Sequence, residues 1–277
     1  MYVAEPNRTI EAANGVRYTY RRCGPSGATP LVLLSHFRGT LDSWDTALVD
    51  RLAVEHDVIA FDSAGVGLST GRVCRTVRDL AADTLAFMEA LAVRQADLLG
   101  HSMGGFVAQE LALVRPNSVR RLILAATAPR GAPEIQGYSD DVLAHVDFDR
   151  PGIQDYLYTF FNHTETSQRL GLEFIGRYIE REHGRDTPVS AAARADQYEA
   201  VVEWGVPDHR ALQRLAAIEH PVFVAGGDAD FVVPPSTSHL LAGALPNAKM
   251  KVYPDSGHGF LFQHHHQFTE DVLAFLR

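Results

Sequence analysis

Apolar residues follow two rhythms along the chain. Short aliphatic and β-branched runs occur at VRYTYRR (16–22), LVLLS (31–35), DVIAFD (57–62), ADLLG (96–100), RLILAAT (121–127), PVFVAG (221–226) and KMKVY (249–253). Runs of this length and composition predict strands. Between them, VRDLAADTLAFMEALA and GGFVAQELALVRP space their apolar residues three and four apart, the stripe of a helix lying on a sheet. Strand and helix alternate, so the expected fold is α/β, a mostly parallel central sheet flanked by helices.

The alternation stops between Thr127 and Pro221, where no strand signal occurs. This interval predicts a helical cap insertion over 131–215, set into a core formed by 1–130 and 216–277. Thr187-Pro188 offers an N-cap with proline at the first helical position, and Asp208 can cap the next helix. Tyr156, Tyr158, Phe160, Phe161, Phe174, Tyr178, Tyr198 and Trp204 crowd the same interval. Most are expected to glue the insertion together and a few to face a cavity beneath it, since ligand pockets favour seams between units. His264-His265-His266 opens the last predicted helix; adjacent helical positions diverge by about 100°, which suits chelation poorly, so the run reads as a solvated helix start.

At 277 residues the chain is long enough to bury a large core. A formal charge of −9 without a Lys/Arg cluster argues against nucleic acid and anionic membrane surfaces, which need basic patches. No apolar run approaches the roughly 18 residues of a membrane span, and MYVAEPNRTIEAANG lacks the basic and apolar regions of a secretory leader, so a cytoplasmic location is expected. Cys23 and Cys74 stand far apart and outside any C-x-x-C spacing. Reduced thiols are expected, not a zinc knuckle or a structural disulfide.

The strongest local signal is LLGHSMGGFVAQE (98–110), where an apolar strand ends in Gly100-His101-Ser102-Met103-Gly104 and runs straight into a helix. G-x-S-x-G in this context is a nucleophile elbow: the tight turn projects the Ser102 hydroxyl above the sheet edge, and Gly100 and Gly104 remove side chains that would collide. The helix N-terminus adds positive potential, and the Met103 N–H can point at a developing oxyanion. A serine hydroxyl needs a base, and the base an orienting acid. His258, between Gly257 and Gly259 after the last strand, is the best candidate base. His36 and His101 also follow core strands, but His101 sits in the elbow pointing away from the hydroxyl and reads as a packing residue. For the acid, AGGDADFVVPP (225–235) offers both Asp228 and Asp230; the turn at Gly226-Gly227 favours the residue beyond it.

With these pieces in order, the chain resembles the α/β-hydrolase fold superfamily, specifically its cap-bearing serine esterase-like members, over essentially its full length. The resemblance implies an acid loop G-x-x-D-x-x-V-P, which Gly227, Asp230, Val233 and Pro234 fill; this makes Asp230 the triad acid and Asp228 a turn-stabilising residue. It also implies an oxyanion loop His-Gly-Φ-x-Gly at SHFRGTLDSW (35–44). There Ser35 and His36 stand in place of His and Gly, Phe37 takes Φ, and its N–H becomes the second oxyanion donor. A register one residue later would give that part to Arg38, whose side chain reads either as a solvated loop residue or as a charge at the pocket mouth. DSAGVGLS (62–69) resembles a structural turn of the family and receives no catalytic part.

The expected activity is cleavage of a carboxylic ester, lactone or related acyl bond of a small, largely apolar substrate through an acyl-serine. Ser102 is the nucleophile, His258 the base, Asp230 the acid, and Phe37 and Met103 the oxyanion donors. No metal or organic cofactor is required. Lyase, C–C hydrolase and perhydrolase chemistry use the same constellation and stay open, as does a non-catalytic small-molecule receptor. Oligomeric state is silent in the sequence.

Overall fold

A computed structural model describes residues 1–147, 149 and 151–277. Among them, eight strands form one sheet: β1 (Arg8–Glu11), β2 (Arg17–Cys23), β3 (Pro30–Leu34), β4 (Asp57–Phe61), β5 (Ala96–His101), β6 (Val119–Ala125), β7 (Val222–Gly227) and β8 (Ala248–Tyr253). Their order is β1-β2-β4-β3-β5-β6-β7-β8, with β1, β2 and β4 paired antiparallel and the remaining neighbours parallel. The seven predicted runs all lie on strands. β1 was not predicted; three of its four residues are exposed, so RTIE carries no apolar pattern to read.

Strand parity divides the core. Val32, Leu34, Ile59, Leu98, Leu122, Leu124 and Val224 pack on one face against the helices Val77–Ala90, Met103–Val114 and Pro235–Ala244. Leu31, Leu33, Val58, Ala60, Leu99, Ile123 and Phe223 pack on the other against Thr46–Leu52 and His265–Leu276. Both faces are therefore covered, as a parallel sheet requires. Because β3 lies between β4 and β5, the chain leaves β3 to one side and returns on the other; loops part there, and clefts form at such switch points.

No strand occurs among the described residues between β6 and β7. The interval instead carries the helices Asp140–Val146, Ile153–Phe160, Glu165–Ile179, Ala191–Gly205 and His209–Gln213. The expected insertion at 131–215 contains Phe148 and Arg150, which lie outside the described residues. Side chains of Ser139, Thr164, Ser190 and Asp208 accept first-turn N–H groups and start four of these helices. Asp208 thus caps where expected, but Thr187 does not: the helix begins three residues later at Ser190. The Thr187 hydroxyl is already committed to the Gly67 carbonyl at 2.6 Å. Arg177 grips Asp45 with two bonds of 2.8 and 2.7 Å, and Arg72 and Arg75 both reach Asp196, tying these helices to the sheet layers. Cys23 and Cys74 are free thiols. Among the described residues no helix is long and apolar enough to cross a membrane.

Candidate active site

Ser102 sits between β5 and the helix Met103–Val114 with φ 55° and ψ −120°, a conformation that a residue with a Cβ rarely adopts. Three bonds hold it there: its N–H donates to Ala125 O (2.9 Å), and its own carbonyl accepts from the Gly105 N–H and the Thr127 hydroxyl, both at 2.8 Å. The glycines beside it are required by contact. A Cβ at Gly104 would stand 2.0 Å from the Leu34 carbonyl oxygen, and one at Gly100 2.4 Å from the Gly104 oxygen.

His258 and Asp230 come from the loops after β8 and β7. The His258 Nδ1–H donates to Asp230 Oδ2 at 2.8 Å, while Asp230 Oδ1 accepts the Val232 and Val233 N–H groups at 2.9 Å each. The carboxylate is thus aimed by its own turn, and the bond to Nδ1 leaves Nε2 as the basic nitrogen of the neutral ring. Ser102, Asp230 and His258 are almost fully buried, and Ser102 and His258 line one cavity. Asp228 is exposed, and its Oδ1 accepts the Ser256 N–H at 3.2 Å. Of the two carboxylates, the structure brings Asp230 to the histidine and leaves Asp228 bracing the turn.

His101 lies against His258, the ring centroids 5.2 Å apart. Its Nε2–H donates to the His258 carbonyl at 3.0 Å, and its Nδ1 is sealed without a partner among the described residues. Burial, then repulsion from His258 and His36, holds its imidazole well below the ordinary histidine range, so it stays neutral. It packs, as expected, but also steadies the loop of His258. A second anchor comes from the helix Ile153–Phe160, whose last carbonyl, Phe160 O, accepts the Gly259 N–H at 2.6 Å.

In the loop after β3, one of the two candidate donors is already bonded. Arg38, at φ 63°, donates its N–H to Gln197 Oε1 at 2.9 Å. Among the described residues no acceptor takes the N–H of Phe37 or of Met103. Arg38 is not a solvated loop residue: it lines the cavity, and its guanidinium turns to the carbonyls of Val146 and of Asp149, the latter at 3.3 Å. The rest of the wall is mostly apolar or aromatic, including Phe37, Tyr138, Val142, Tyr156, Phe160 and Val232. Of the crowded aromatics, Tyr156 and Phe160 face the cavity, whereas Trp204 stacks on Phe106 and Phe174 on Phe262. Sequence reasoning missed Gln197, Tyr138 and the pair His145–Asp155 (2.8 Å), which also lines the cavity. Each acts across a distance in sequence that no local pattern encodes. Among the described residues no cluster of His, Cys, Asp and Glu is arranged to hold a metal ion.

Comparison with known proteins gives three kinds of match. The family model of the alpha/beta hydrolase fold matches residues 29–265. Over 97% of its length the chain is 30% identical to a non-heme chloroperoxidase of Streptomyces lividans, covering 99% of that protein. It is 31% identical, over 92% of its length, to the dihydrolipoyllysine-residue acetyltransferase component of the acetoin cleaving system of Pseudomonas putida, but spans only 65% of that longer chain. A solved structure of an alpha/beta hydrolase fold protein from Chitinophaga pinensis superposes with a TM-score of 0.93 at 35% identity, covering 99% of this chain and 98% of that one.

Proposed function

The chain belongs to the α/β-hydrolase fold family, and from that premise we propose that it is a cytoplasmic serine hydrolase cleaving an ester, lactone or related acyl bond of a small, largely apolar substrate. The observation that carries this reading is that Ser102, held at a helix N-terminus with φ 55°, and His258, fixed by Asp230, line one cavity. In the first half-reaction Ser102 Oγ attacks the acyl carbon while His258 Nε2 takes its proton. The tetrahedral oxyanion is received by the Phe37 and Met103 N–H groups. His258 then returns the proton to the leaving oxygen, the C–O bond breaks, and an acyl-serine remains. Water, deprotonated by the same nitrogen, releases the acid and restores Ser102. Asp230 keeps the imidazole in the tautomer that makes Nε2 the acceptor and stabilises the imidazolium that forms. The helices within 131–215 act as a cap whose aromatic side chains exclude water from the acyl group.

The similarity to a protein named a non-heme chloroperoxidase favours a second reading, in which hydrogen peroxide replaces water at the acyl-serine and the product is a peracid. One experiment tests both. Purified protein is given a panel of p-nitrophenyl esters with and without peroxide, and is labelled with a serine-directed phosphonate. Turnover and a single adduct on Ser102, both lost in Ser102→Ala, are expected; absence of turnover and of adduct in the native chain refutes the acyl-serine. Peracid formation in the peroxide arm distinguishes the second reading.

A further inference from the structure

His36 occupies a position where the resemblance implies glycine, and its ring does something a glycine could not. It lines the same cavity as Ser102 and is 8% exposed. Its Nδ1–H donates to the Phe37 carbonyl at 2.8 Å, which leaves Nε2 with a bare lone pair. Nε2 has no partner among the described residues. The residue lines the cavity beside Thr159, whose Oγ1 is sealed without a partner among the described residues. Edge-on contacts to the His101 ring at 5.2 Å and the Phe160 ring at 5.0 Å fix the plane of the imidazole. A buried acceptor in a mostly apolar wall loses access to water on ligand binding, and a ligand donor restores the bond.

We propose that His36 Nε2 is a specificity-determining acceptor, selecting substrates that carry a hydroxyl close to the scissile carbonyl. The hydroxyl must be near because His36 immediately precedes Phe37, whose N–H is assigned to the oxyanion. The ring offers that lone pair across the ordinary pH range, since burial pushes its pKa down to about 4. This inference rests on the acyl-serine reading of Ser102 and names its substrate class: hydroxylated acyl esters or the lactones derived from them.

The test compares kcat/KM for p-nitrophenyl butyrate esters bearing a hydroxyl or a methoxyl at carbon 2 or 3. The methoxyl keeps the oxygen and removes the donor. The native chain should prefer hydroxyl over methoxyl by at least ~10-fold at one position, since a site built to bond a hydroxyl strongly rejects the analogue without it. His36→Phe should bring the ratio near one, and His36→Gln, which keeps an acceptor oxygen, should retain part of it. If His36→Phe fails to fold, the native ratio and that of His36→Gln decide. Turnover by the native chain with a ratio near one at both positions overturns this inference alone. No turnover and no phosphonate adduct at Ser102 overturn the acyl-serine reading, and this inference with it.

Discussion

Replacing Ser102 by glycine should make the protein more stable than replacing it by alanine, although both remove the hydroxyl. Ser102 is held at φ 55°, ψ −120° by bonds through its own N–H and C=O, and those backbone bonds survive either substitution. Alanine keeps the Cβ and with it the strain, which for a residue in a sparsely populated region is about 1–3 kcal/mol. Glycine removes that strain but adds about 0.4–1 kcal/mol of unfolded-chain entropy to be lost on folding. The difference is a net gain of about 1 kcal/mol for glycine over alanine. In a chain of this size that corresponds to a Tm higher by roughly 2–4 °C. Differential scanning calorimetry of the two variants, in the same buffer and at the same scan rate, reads it directly. An alanine variant as stable as the glycine one, or more so, would refute the claim that the elbow stores backbone strain.

Further outcomes follow from the same geometry. Asp230→Asn should lower kcat by about 10⁴, the scale set by neutralising a triad acid, while Asp228→Asn, at a carboxylate that accepts the Ser256 N–H, should leave steady-state ester turnover within a few-fold; the reverse ranking reassigns the acid. Gln197→Leu removes the acceptor of the Arg38 N–H and should reduce kcat more than it raises KM, because it loosens the loop whose Phe37 N–H is proposed as an oxyanion donor; a pure KM effect in initial-rate kinetics contradicts this. His36 has a folded pKa of about 4 against about 6.5 unfolded, so its contribution is complete above the unfolded value and is lost as pH falls toward 4. Relative to His36→Phe, urea unfolding of the native chain should lose about 3 kcal/mol between pH 7 and pH 4; parallel stability curves would show that the ring is not held neutral.

The parts of the candidate site legible in the sequence are those in which chemistry and backbone share one short segment. Ser102 is legible because strand, turn, glycines and helix fall within LLGHSMGGFVAQE, and Asp230 because its own turn supplies the Val232 and Val233 N–H groups that aim it. Seven strands were legible because burial forces apolar runs, whereas β1, mostly exposed at the sheet edge, has nothing to bury. Gln197 was invisible because its work is done on Arg38, 159 residues away, through a bond that only the packed chain creates. The displaced helix start at Ser190 has the same origin: Thr187 is a sound N-cap by type, but its hydroxyl is claimed by Gly67 on another loop. His36 was placed in the loop after β3 from sequence alone, but which of its nitrogens is left open depends on a bond to the Phe37 carbonyl.

The bond from the Gly259 N–H to the last carbonyl of the helix Ile153–Phe160 joins the neighbour of His258 to a segment that walls the cavity. If the proposed cap governs access, access and alignment are mechanically linked. A displacement of that helix would pull on the residue after His258, and so would disturb the ring that Asp230 holds. A molecule too bulky to let the helix return would occupy the cavity without being turned over, and would act as a competitive inhibitor rather than as a slow substrate.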